Sequence, residues 1–149
     1  MVNGEIMEYE QYEVECNKIR KTNKLLLKEF SEHLSQAGLK HQTVSSHVNN
    51  IDFYVNEFLL YEDAIHAQDG VDEVRMFLGY WFIKKAMWAN ESAIRANATS
   101  LKKFYGLLAA KNLVDPAEVL ALEETIKEEL PDWLESMRRY DDPNIELVW

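Results

Sequence analysis

A chain of 149 residues with a net charge of −10 is one domain's worth of polypeptide, and folding at that size buries about 68–70% of the surface the unfolded chain exposes. Five Gly and three Pro leave little room for hairpin turns, a single cysteine excludes an internal disulfide framework, and no run of eighteen apolar residues offers a spanning helix. The acidic N-terminus does not read as a secretory signal, so the expectation is a soluble, cytoplasmic, all-α protein with no membrane association.

Residues 5–19 place Ile6, Tyr9, Tyr12, Cys16 and Ile19 at helical steps, although Tyr12, Val14 and Cys16 also alternate as in a strand; helix is preferred. Residues 17–22 read as a basic connector, with Thr22 as N-cap of a first core helix whose stripe is Leu27, Phe30, Leu34 and Ala37. Gly38 falls where a left-handed C-cap residue is expected. The central element follows: Val44, Val48, Ile51, Val55, Phe58 and Leu59 recur at steps of three and four, while Gln42, Ser45, Ser46, Asn49 and Asn50 form a polar opposite face beside His41 and His47. Residues 61–69 lack a sustained period and predict a turn or short helix.

From Val71, the positions Val74, Leu78, Trp81 and Lys85 step along one line flanked by Phe77 and Phe82, with Asp72 and Glu73 at the positive end of the helix dipole. Asn90 caps the next helix, which has Ile94, Ala98, Leu101, Tyr105 and Leu108 on one face and Ser92, Arg95, Thr99, Lys102 and Lys103 on the other; Asn112 suits its C-cap. Asp115, Pro116 and Glu118 form the clearest start in the chain: N-cap, first helical position and closure of a capping box. The stripe Val119, Leu122, Ile126, Leu130, Trp133, Met137 and Tyr140 continues past Pro131, which predicts a kinked helix or two helices meeting at Leu130.

No residue pattern supports catalysis. His33, His41, His47 and His66 lack ligand spacing, with only Glu62 and His66 one turn apart, so neither metal nor cofactor is expected. Four acids, Glu8, Glu10, Glu13 and Glu15, lie just before Cys16, which is a poor setting for a thiolate and makes it a small core residue. There is no phosphate-cradling glycine loop and no serine elbow. Trp81, Trp133 and Met137 fall at core spacing, while Trp88 and Trp149 lie near helix ends and suit a partner surface.

The charge is divided unevenly. Residues 1–16 carry −5, residues 112–149 carry −8, and the middle, 17–111, carries +3. A mildly basic centre between acidic ends keeps nucleic acid open as a partner despite the overall sign.

The order of these features over residues 23–116 resembles the core-binding domain of tyrosine recombinases and phage integrases: a helix with Phe30 and Leu34, then Gly38, Leu39 and Thr43, the long apolar-periodic helix to Leu60, a connector and the helix of residues 71–87. Asn90, Glu91 and Ser92 then open a helix with Leu101, Lys102, Lys103, Phe104 and Tyr105, and Leu113, Val114, Asp115 and Pro116 stand where the family commonly has Asn-Pro. The resemblance implies an all-α, SAM-like four-helix orthogonal bundle, here with additional N- and C-terminal helices: an acidic segment and basic connector at 1–22, the bundle at 23–116, and an acidic helical extension at 117–149. It also implies duplex DNA as partner, contacted by Lys40, His41, Gln42, Thr43, Ser46, His47 and Asn50, and by Ser92, Arg95, Thr99, Lys102 and Lys103.

Lys40 departs from the Ser cap often found in the family, and the family's catalytic Arg, His-x-x-Arg pair and nucleophilic Tyr have no counterpart. The expectation is therefore a non-catalytic DNA-binding domain associated with DNA integration or recombination. The alternative is a helical protein-interaction module that no longer binds DNA, docking a partner or a second copy through the extension and an exposed patch of Trp133, Met137 and Trp149. The charge split also predicts that deleting residues 117–149 tightens DNA binding.

Overall fold

The computed structural model describes residues 2–142, with side chains from residue 8 onward. The described residues are all-α, without a strand. They form two compact units, one ending at Gly70 and the other beginning at Val71.

In the first unit, α1 runs unbroken from Val2–Gln36. The expected connector at residues 17–22 is helix interior, and Thr22 is not an N-cap, since its hydroxyl donates back to the Lys18 carbonyl at 3.4 Å. The reason is the buried stripe: Cys16, Ile19, Asn23, Leu26, Phe30 and Leu34 continue at steps of three and four straight through the basic residues, which occupy the exposed sides. That register buries Leu26 where Leu27 was expected and leaves Ala37 exposed. The helix ends in a Schellman motif, with Gly38 at φ 92°, its N–H on the Ser35 carbonyl and the Leu39 N–H on the Leu34 carbonyl.

Helix α2, His41–Asp52, buries Val44 and Ile51 and packs against α1. It then widens into a π-helical turn, Phe53–Phe58, with the Leu59 N–H reaching the Tyr54 carbonyl at 3.0 Å. The extra residue per turn brings the neighbouring pairs Tyr54–Val55 and Leu59–Leu60 into the core and leaves Val48 and Phe58 half-buried. Buried Asn23 serves this turn, its amide donating to the Val55 carbonyl at 3.2 Å and to Asn56 Oδ1 at 2.8 Å. Tyr54 donates to the Gly70 carbonyl at 2.6 Å across a short 3-10 turn, Ala67–Asp69.

Helix α3 of the second unit is composite. A 3-10 turn, Val71–Glu73, leads into Val74–Met76, the π-helical segment Phe77–Trp81 and Phe82–Lys85. Val74, Phe77, Leu78, Phe82 and Ile83 are buried, whereas Lys85 leaves the predicted line.

Helix α4, Glu91–Ala110, begins as expected, with Asn90 Oδ1 accepting the Ala93 N–H at 2.7 Å. All five predicted core positions, Ile94, Ala98, Leu101, Tyr105 and Leu108, are buried. Asn112 takes φ 62° and closes a second Schellman motif through Leu113 N–H to the Leu108 carbonyl.

Helix α5, Pro116–Asp141, opens with Asp115 accepting the Ala117 N–H at 2.9 Å; the Glu118 side chain makes no return bond. It is one helix through Pro131. The ring sits on the exposed side, so the cost is confined to a missing N–H for the Lys127 carbonyl. Its inner face buries Val119, Leu122, Ile126, Trp133, Leu134 and Met137 against α3 and α4.

Candidate nucleic-acid interface

The first predicted set lies on the start of α2. Lys40 occupies the N-cap position with extended backbone at ψ 151° and no capping side chain, its carbonyl accepting the Val44 N–H at 2.9 Å. His41, Gln42, Thr43 and Ser46 are exposed, and His47 and Asn50 are half-buried. Gln42, Thr43, Ser46 and Asn50 fall within about 100° of helix circumference, opposite buried Val44 and Ile51. The turn therefore presents short amide and hydroxyl groups, with one full charge, on Lys40.

The second set lies on α4 in the other unit. At about 100° per residue, Ser92, Arg95, Thr99, Lys102 and Lys103 fit within an arc of about 100°, on the side away from the stripe of Ile94, Leu101 and Leu108. Ser92, Arg95, Thr99 and Lys103 are exposed and Lys102 is half-buried. Thr99 turns its hydroxyl back to the Arg95 carbonyl at 3.2 Å.

The other arginines of the unit are engaged in ion pairs. Arg75 holds Glu129 at 2.7 Å, Arg138 holds both Glu91 and Glu135, and Arg139 reaches Glu135. Arg95, Lys102 and Lys103 make no ion pair among the described residues. Glu91 is the sole acid of α4, and Arg138 engages it at 3.1 Å. Three cations thus stand on one helical face with no carboxylate matched to them.

That face borders an open groove of about 670 Å³ between α4 and α5, with Thr99, Lys102 and Lys103 on one wall, Glu123 and Lys127 on the other, and Ile126 and Leu130 between them. Lys127 is not legible as a site residue in the sequence, because its surroundings in the chain, Glu123, Glu124, Glu128 and Glu129, read as a solvated acidic face. A lone base in that acidic stretch is the one signal that points to it.

One expectation about the alternative surface is overturned. Trp133 and Met137 are 5% and 1% exposed, so they belong to the core and form no patch; Trp149 lies outside the described residues. The exposed apolar groups of this unit include instead Met87 and Trp88, in the turn between α3 and α4. Removing residues 117–149 would also strip six buried side chains from the unit, so that deletion would unfold it and not merely unmask a basic face.

Cys16 is fully buried, as its setting predicts. The nearby Tyr12 hydroxyl donates to the Leu60 carbonyl, and burial, with the hydrogen bond of the neutral phenol to Cys16 next in weight, pushes its pKa up to about 12. Among the described residues no three His, Cys, Asp or Glu side chains gather as metal ligands, and no helix is long and apolar enough to cross a membrane.

Compared with protein-family models, curated proteins and solved structures, the chain matches none.

Proposed function

We propose that this chain is a non-catalytic DNA-binding protein, related in arrangement to the SAM-like core-binding domains of tyrosine recombinases and acting alongside DNA integration or recombination. The observation that carries the reading is the exposed face of α4, where Arg95, Lys102 and Lys103 stand without a carboxylate partner in a strongly acidic chain. Cations left unmatched on one helical face are suited to phosphate, and Ser92 adds a hydroxyl at the same face. The order of signals along the sequence, with glycine and asparagine stops at Gly38 and Asn112 and the Asp115–Pro116 helix start, is the resemblance that suggests this family. On this reading Gln42, Thr43, Ser46 and Asn50 of α2 supply uncharged hydrogen bonds to sugar or base edges.

The test is fluorescence anisotropy of labelled duplex DNA at two salt concentrations, comparing the native chain with the combined Arg95→Ala, Lys102→Ala, Lys103→Ala variant. Binding that weakens with salt, and weakens further in the variant with a shallower salt slope, is the expected result. Absence of salt-sensitive binding by the folded native chain refutes it. A protein-interaction role is the second reading, favoured by Met87 at 99% and Trp88 at 56% exposure in one turn.

A further inference from the structure

We propose that the groove between α4 and α5 is a phosphate-binding site in which Lys127 joins Lys102 and Lys103, so that the acidic C-terminal helix contributes directly to ligand binding. The proposal rests on the DNA-binding reading for its expected ligand, the backbone phosphates of a duplex, but its chemistry is that of any phosphate ester or free phosphate.

The geometry comes from two helices with opposite charge character. Thr99, Lys102 and Lys103 are spaced at i, i+3 and i+4, so they reach one side of α4 and form one wall. Lys127 stands on the facing wall. Glu123 lies one helical turn before it, in the orientation that normally favours an intrahelical pair, and yet Lys127 makes no ion pair among the described residues. Three lysines therefore line one groove together with a single acid, Glu123. An anion placed among them would relieve the mutual repulsion of like charges, which in a partly shielded groove is felt more strongly than on an open surface. Ile126 and Leu130, between the walls, keep part of that space free of competing hydrogen-bonding groups.

The groove is open and about 670 Å³, ample for a phosphodiester or a pyrophosphate. Lysine suits this use because its ammonium acts as a point charge and tolerates varied phosphate geometry. Glu123 opposes the site. Its removal should strengthen phosphate binding, an effect opposite in sign to removal of Lys127.

The experiment compares the native full-length chain with Lys127→Gln and Glu123→Gln. Both positions are exposed, and circular dichroism checks that each variant is folded. One arm measures duplex DNA binding by anisotropy across a salt series. The other adds inorganic pyrophosphate and follows the backbone amides of Thr99, Lys102, Lys103 and Lys127 by NMR. The expected result is a salt slope shallower by about 0.9 in Lys127→Gln, corresponding to one phosphate fewer neutralised, with tighter binding in Glu123→Gln. DNA binding whose affinity and slope are unchanged by Lys127→Gln overturns the groove while leaving the α4 reading intact. Pyrophosphate shifts that depend on Lys127, without DNA binding, support the phosphate site and discard duplex DNA as its source. No response to either probe overturns both.

Discussion

Gly79 and Gly106 offer a paired test of how α5 seats on α3. A Cβ added at Gly79 would lie 2.9 Å from Trp133 Nε1 and 3.0 Å from its Cδ1, whereas one added at Gly106 meets nothing within 4 Å. Carbon contacts prefer about 3.5–4.0 Å, so the Gly79→Ala methyl must displace an indole that is only 5% exposed. Overpacking of that kind costs about 1–3 kcal/mol. Against it stands the gain of about 0.5–1 kcal/mol from replacing glycine inside a helix, which leaves Gly79→Ala less stable than native by up to roughly 2.5 kcal/mol, about 1 kcal/mol at mid-range.

Gly106→Ala keeps only the gain and should be more stable by about 0.5–1 kcal/mol. All four tryptophans, at 81, 88, 133 and 149, follow Val71, so their fluorescence during urea unfolding reports the second unit. The two midpoints should move in opposite directions with slopes unchanged. If Gly79→Ala raises the midpoint as Gly106→Ala does, Trp133 does not rest on the α3 backbone.

Two further predictions concern the first unit. Replacing Tyr12 by Phe removes the hydrogen bond to the Leu60 carbonyl and should cost about 1 kcal/mol at neutral pH, measured by urea unfolding followed by circular dichroism. Because folding raises this phenol from 10.0 to about 12, the neutral form is favoured: its contribution is full below pH 10 and is lost as pH rises to about 12. Tyr12→Phe should therefore lose less stability over that window than the native chain, and equal alkaline losses would contradict the assignment. Asn23→Ala should destabilise by about 1–3 kcal/mol by leaving the Val55 carbonyl and Asn56 without their shared donor. A change within error in its unfolding midpoint would show that the π turn does not depend on Asn23.

Where local chemistry is decisive, the chain can be read directly. Asn90 and Asp115 cap because their short side chains reach an unpaired N–H three and two residues ahead, and Gly38 and Asn112 stop helices because they tolerate positive φ. The α4 stripe is equally legible, since a 3.6-residue period over twenty residues has one way to turn inward. The polar faces of α2 and α4 follow as its complements.

What only the tertiary structure decided depends on partners distant in sequence. Thr22 looks like a cap because its hydroxyl can accept an unpaired N–H after a basic stretch, yet Cys16, Ile19, Asn23 and Leu26 bind the supposed connector into one 35-residue helix. The widened turns at Phe53–Phe58 and Phe77–Trp81 leave no periodic mark of their own, because they exist to bring adjacent apolar residues to the same core. Trp133 and Met137 could have been core or surface until α3 and α4 covered them. Lys127 shows the limit most clearly: sequence neighbours make it one charge on an acidic helix, and only the packing of α5 on α4 sets it across a groove from Lys102 and Lys103.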